Sequence, residues 1–283
     1  MRIATLSGRA VVVAGDVAID IEKLSEGRFG PDTSSLFEDW VGFAEWGAGV
    51  SFTPDLGAPY ADSNLDAPVP DPKQVFAIGL NYRAHVVEAG VAPPANADTP
   101  PTFTKFKASL TGPYTELTLP SGSVDWEVEL VAVMGKRAEN VKARDAWGHV
   151  AGLTVGQDFS ERDVQRSGPV PQFSMGKSFP GFGPTGPWLV TVDEFADPDD
   201  LALECIINGE VVQSSRTSAM ILPVGVLIER LSAICPLLPG DLIFTGTPAG
   251  VGMGRNPEKY LKAGDEVVSR IEGIGEIRQR CVA

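Results

Sequence analysis

The feature that most restricts the fold is a succession of short apolar, β-branched runs, each cut off by glycine or proline. From Val75 onward these runs are Val75 to Gly79, Glu127 to Met134, Val150 to Val155, Trp188 to Val192, Leu203 to Ile207, Leu242 to Thr245 and Glu266 to Ile271. Runs of that length between turn residues read as strands. The 283 residues include 31 Gly and 23 Pro, so turns are many and long helices few. One clear helix stands among them, Pro223 to Cys235. Proline opens it, and Val224, Leu227, Ile228 and Leu231 form its apolar stripe. Strands and helices do not alternate, which argues against a doubly wound parallel sheet. The expected class is α+β, dominated by a rolled or barrel-like sheet.

The N-terminal part carries its own pattern. Ile3 to Leu6, Ala10 to Val13 and Val17 to Ile21 read as strands, the last two joined at a Gly15-Asp16 turn. Ser34 to Trp46 places Leu36, Phe37, Trp40, Val41 and Phe43 at helical spacing. Prolines 59, 68, 70 and 72 then mark a boundary, so the expected division is a small α+β domain, residues 1–65, and a larger one, residues 66–283. After a short helix from Tyr82 to Ala89, the small, polar, proline-rich stretch Ala89 to Pro101 reads as a covering loop.

Charge narrows the partners. Lys and Arg total 23 against 37 Asp and Glu, giving −14, so nucleic acid and anionic membrane surfaces are poor partners. His85 and His149 are the only histidines, so a bound metal must be held by oxygen ligands. Cys205, Cys235 and Cys281 show no CxxC spacing and sit among apolar neighbours, as small hydrophobes do. No signal-peptide core and no apolar run near about 20 residues appears, so a cytoplasmic protein without a membrane span is expected.

Three stretches carry possible chemistry. In Asp125-Trp126-Glu127-Val128-Glu129 alternation puts three carboxylates on one strand face. That reads either as a solvated acidic strand end or as a site for a hard cation held by Glu127 and Glu129. Asp158, where the next strand turns, is placed to complete a carboxylate triad, and Arg162 to clamp an anionic group. Alternatively Asp158 or Ser160 caps a helix and Arg162 pairs with Glu161 or Asp163 on the surface. His85 and Glu88, at i and i+3 of a helix, form a possible general-base pair or an ordinary surface pair; His149 reads as structural. The Gly246–Gly254 loop lacks Walker and Rossmann contexts, yet its N–H groups suit a carboxylate or enolate oxygen.

Taken together, the motifs Ile78-Gly79-Leu80-Asn81-Tyr82, Thr104-Lys105-Phe106, Asp125-x-Glu127-x-Glu129-Leu130, Gln157-Asp158-Phe159-Ser160-x-Arg162-Asp163-x-Gln165, Gly176-Lys177-Ser178-Phe179, Ile207-Asn208-Gly209-Glu210, Pro239 to Gly252 and Ile271 to Gly275 occur in one order. In this the chain resembles the fumarylacetoacetate hydrolase family over roughly residues 70 to 283. The resemblance implies a mixed β-roll, usually in a homodimer, and a divalent metal on Glu127, Glu129 and Asp158, with Asp125 nearby. Mg²⁺ or Mn²⁺ is the expected ion, and Ca²⁺ also suits such ligands. It places Lys177 as a catalytic group, His85 and Glu88 as a water-activating dyad, and Arg162, Gln165, Thr247 and Lys105 around a small 2-oxo acid substrate. Gln157 replaces the Asn common before the metal Asp. The implied chemistry is an enolate stabilised by the metal and Lys177, leading to isomerisation or C–C hydrolysis of aromatic ring-fission diacids of the 2-hydroxyhepta-2,4-diene-1,7-dioate type. Acylpyruvate hydrolysis and oxaloacetate decarboxylation are alternatives, as is a non-catalytic, metal-dependent metabolite-binding protein. Specificity is expected in Ala89 to Pro101 and around Ser167 to Phe173.

Overall fold

Two sheets face each other across an apolar core, and the strand Val128–Met134 runs through the middle of the larger one. The computed structural model describes residues 1–90 and 101–283, so most of the expected covering loop, Ala89 to Pro101, lies outside the described residues. Every residue of Val128–Met134 is buried. Apolar side chains on both faces are what a central strand requires. Val128, Leu130, Ala132 and Met134 enter the core between the sheets, with Leu203, Cys205, Val267 and Ile277 of the smaller sheet. Val131 and Val133 belong instead to a second apolar layer with Phe37, Trp40 and Phe43.

The central strand pairs antiparallel with Val150–Gln157 on one side and Leu242–Phe244 on the other. Beyond Leu242–Phe244 come Val75–Ile78, parallel to it, and Thr102–Thr104. Beyond Val150–Gln157 comes Gly183–Thr191, then the N-terminal strands Arg2–Leu6, Arg9–Ala14 and Val17–Asp20. The smaller sheet runs Glu210–Arg216, Ala202–Ile207, Glu266–Ile271, Gly275–Val282 and Tyr114–Thr118. Neither sheet closes into a ring among the described residues, so the expected roll takes the form of open, mixed sheets.

Backbone pairing links residues 1–65 to the rest: Arg2 pairs with Val190, Ile3 with Leu189, and Thr5 with Asp66. The single helix expected from Ser34 to Trp46 is two, Thr33–Leu36 and Trp40–Ala48. Asp39 makes the break, because its carboxylate accepts from the Gly42 N–H at 3.0 Å and starts a new helix. In the other expected helix, found as Val224–Ser232, the stripe Val224, Leu227, Ile228 and Leu231 is buried, with Pro223 at the cap. Among the described residues no helix is long and apolar enough to cross a membrane.

Candidate active site

The antiparallel register builds the acidic cluster. Val128 pairs with Gln157, so Asp158, the next residue, falls beside Glu127, and its N–H donates to the Glu127 carbonyl at 2.9 Å. One carboxylate oxygen each from Glu127, Glu129 and Asp158 then lies within 4.8 Å of the others, although 29 residues separate Glu129 from Asp158 in sequence. None of the three is a solvated strand end: their exposures are 6%, 1% and 0%.

Asp125 takes another role. Its carboxylate accepts from the N–H groups of Gly252 at 2.6 Å and Met253 at 3.1 Å, and from Arg162 Nε at 2.9 Å. Gly252 is required there, because a Cβ at that position would run into the Asp125 carboxylate and the Lys259 carbonyl. Arg162 is correspondingly buried, and it also donates to Glu127 Oε1 at 2.6 Å and Gln165 Oε1 at 2.9 Å. The cap of the short helix Arg162–Arg166 is Glu161, not Asp158 or Ser160.

Two lysines complete the charge pattern. Lys177 Nζ bridges Glu127 Oε2 at 2.8 Å and Asp158 Oδ2 at 2.7 Å. Lys105 Nζ donates to Asp158 Oδ1 at 2.7 Å and to the Lys177 carbonyl. Burial works to raise the Glu127 carboxyl, but Lys177 and Arg162 outweigh it and hold the group at about 2. Glu129 goes the other way: burial, then Asp158 and Glu127, push it well above the usual carboxylate range. Burial lowers the Lys105 ammonium, with Asp158 opposing, whereas Asp158 and Glu127 more than offset burial at Lys177 and raise it. Four buried carboxyl groups thus meet three cationic side chains. Among the described residues the hydrogen-bond donor to Glu129 is the Gly246 N–H, at 2.8 Å, from a residue with φ 97°. A buried carboxyl so lightly partnered, beside two others, fits a hard divalent cation, which would neutralise the surplus negative charge.

A cavity of about 290 Å³ opens on this cluster. Glu127, Lys177, Arg162, Gln165, Thr247 and His85 line it, between apolar walls that include Ile78, Phe103, Phe173 and Met253. Lys105, Glu129 and Asp158 stand behind them, fully buried. His85 Nδ1 lies 2.9 Å from Glu88 Oε2, and Glu88 Oε1 accepts from the Gly250 N–H at 2.9 Å. The structure therefore brings the expected site residues into one neighbourhood. Of the expected specificity segment, Pro171 and Phe173 line the cavity. His149 is elsewhere, its Nδ1 3.0 Å from the Arg137 carbonyl.

Sequence reasoning missed Gln213 and Arg166. Gln213, 1% exposed, holds the Val128 N–H from a strand of the other sheet, and Arg166 lines the cavity one helical turn after Arg162. Neither residue stands out from its neighbours in sequence. For Arg166, helical spacing from Arg162 was the available signal.

The sequence profile described as fumarylacetoacetate (FAA) hydrolase C-terminal matches residues 74–282. The chain belongs to this family. Within the family it is 47% identical, over 219 residues, to the mitochondrial oxaloacetate tautomerase Fahd2a of Rattus norvegicus, spanning 76% of this chain and 68% of the relative. A Mycobacterium smegmatis protein of known structure, named as a candidate HpcE, superposes with a TM-score of 0.93 at 53% identity, covering 100% of this chain and 99% of that one. The maleylpyruvate hydrolase of Sphingobium sp. SYK-6, solved with manganese(II) and pyruvate, superposes with a TM-score of 0.81 at 29% identity, covering 100% and 99%. Members of this family are enzymes, among them hydrolases, isomerases and tautomerases, and the mixed sheets found here are the family fold.

Proposed function

We propose that this protein is a divalent-metal-dependent isomerase of small 2-oxo acids, moving a proton at the carbon next to the oxo group. The observation that carries the reading is the buried triad Glu127, Glu129 and Asp158, with Lys177 across two of its members, beside a small cavity that His85 also lines. A cation held by the triad would supply Lewis-acid polarisation of the oxo group. Lys177 places a positive charge where negative charge develops on that oxygen. With Nδ1–H donating to Glu88, His85 keeps the Nε2 lone pair for the cavity and serves as the base that takes and returns the proton. Glu88, pinned by the Gly250 N–H, holds that tautomer.

A cavity of about 290 Å³ suits an acid of few carbons. The tautomerase relatives make oxaloacetate the first substrate to try, with 2-hydroxyhepta-2,4-diene-1,7-dioate and acylpyruvates beside it. C–C hydrolysis is the second reading, because the same His85–Glu88 pair is built to activate water and a maleylpyruvate hydrolase shares the fold. Assembly as a homodimer belongs to the proposal and rests on the family resemblance.

Turnover of these acids with Mn²⁺ and with a chelator tests the reading. Activity that needs the metal and disappears in Glu129→Ala supports it. Metal-independent turnover, or full activity of Glu129→Ala, overturns it. Absence of all turnover, while metal and ligand together raise the melting temperature, points instead to a binding protein.

A further inference from the structure

The cations that line the cavity are not equally available to a ligand. Arg162 commits its Nε and Nη2 to Asp125 and Glu127 and its Nη1 to Gln165, and Lys177 bridges Glu127 and Asp158. Both side chains are buried, and carboxylates of the cluster match their charge. Arg166 differs. Among the described residues no carboxylate lies within ion-pair distance of it, and its hydrogen bond runs from Nη2 to Met253 Sδ at 3.4 Å. A thioether is a weak, uncharged acceptor, so it does not satisfy a guanidinium as an anion would. Nη2 and Sδ belong to the outer ends of their side chains, and both residues line the cavity. The contact therefore puts the guanidinium itself, not only its aliphatic stem, at the wall they share.

The helix Arg162–Arg166 gives the direction. Residues four apart share a helix face and stand about 6 Å apart along the axis. Arg162 is buried against the cluster, whereas Arg166 is exposed. The cavity thus has a closed end, at the triad and Lys177, and an open end where a guanidinium has no carboxylate among the described residues. We propose that Arg166 is a specificity-determining residue that takes the distal carboxylate of the substrate, so that the site selects 2-oxo dicarboxylates of four or five carbons over monocarboxylates. Its planar fork can give a carboxylate two parallel N–H donors. A chain of net charge −14 repels a dianion more than a monoanion, so a preference for the dianion has to come from such a local contact. This rests on the reading of the cavity as a 2-oxo acid site and adds to it what the far end of the substrate carries.

Two pairs of acids test it, alike except that one member ends in a carboxylate and the other in a methyl group: 2-oxoglutarate with 2-oxopentanoate, and L-malate with L-2-hydroxybutyrate. Titration calorimetry of the Mn²⁺-loaded protein gives the diacid-to-monoacid ratio of affinities. In at least one pair the wild-type protein is expected to favour the diacid about tenfold, as one charged hydrogen-bonded contact open to water would. Arg166→Met should abolish that preference by weakening the diacid about tenfold while the monoacid changes less than about twofold. Arg166→Glu should reverse it. Arg83→Met removes an exposed cation from the helix that carries His85 and should leave the ratio as in the wild type, which separates contact from the general field. A packing role alone would move both acids of a pair together. A preference kept in Arg166→Met overturns the proposal, as does one lost equally in Arg83→Met. Arg166→Glu decides the matter if Arg166→Met does not fold. Failure of the wild-type protein to bind any of the four acids overturns the cavity reading and this inference with it, whereas binding without the diacid preference overturns this inference alone.

Discussion

Glu127 and Glu129 share a strand face with Val131 and Val133, yet the two halves of that face are held in opposite ways. Val131 and Val133 lie under an aromatic layer in which Trp40 and Phe43 are 5.5 Å apart and Phe29 meets Phe43 edge-on at 5.3 Å. About 13 Å along the strand from Val133, at 3.3 Å per residue, Glu129 lies in a cluster of four buried carboxyl groups and three cations. Burial of the apolar half is favourable in itself. Burial of the charged half costs desolvation that its ion pairs only partly offset. One end of the strand therefore supplies stability, and the other uses some of it to hold a site.

The contrast predicts that the two halves fail differently. Glu129→Ala should lower kcat about a thousandfold, the several kcal/mol that metal chemistry supplies, while the metal-free protein melts at the same temperature or higher. Steady-state kinetics with thermal melts checks this, and a large loss of melting temperature with activity kept would erase the distinction. Phe43→Ala is the opposite case. It should cost about 3–5 kcal/mol in urea unfolding and leave kcat per folded molecule unchanged.

The remaining predictions probe the same difference more gently. His85→Ala should reduce isomerisation and hydrolysis about a hundredfold while sparing much of any oxaloacetate decarboxylation. Equal loss of all three would refute the division of roles. The smallest effect belongs to the N-terminal region. The Arg9 guanidinium holds the Asp20 carboxyl below its ordinary value, so this pair adds stability above the unfolded pKa that is lost as pH falls through the lower folded value. Arg9→Met should flatten that acid-side dependence of the melting temperature by no more than about 2 °C, because the pair is only partly buried and solvent screens it.

Much of the fold was legible because strand period and turn chemistry are local. The N-terminal strands, Val75–Ile78, Ala202–Ile207 and Glu266–Ile271 fall within a residue or two of the sequence expectation. Gly275–Val282 was missed although Ile277, Gln279 and Cys281 alternate inward, because two arginines and a buried Gln dilute the pattern. The start of Gly183–Thr191 was missed because its glycines and prolines read as loop. The break at Asp39 was hidden because apolar spacing runs on through Phe37 and Trp40.

By itself the sequence determined the kind of chemistry this protein can hold. Two histidines and an Asp-x-Glu-x-Glu stretch point to oxygen ligands for any metal, and the ordered motifs identify the family. The tertiary structure decided how those groups are partnered. Register brought Asp158 beside Glu127, burial and neighbouring carboxylates raised the Glu129 carboxyl while Lys177 and Arg162 overcame burial and lowered that of Glu127, and Asp125 was turned to Arg162 and the Gly252 N–H. The second sheet contributed Gln213, whose place in sequence gives no sign that its amide holds Val128 and Thr247 together. A residue type limits which bonds a side chain can make; which of them it makes depends on neighbours that only the folded chain brings within reach.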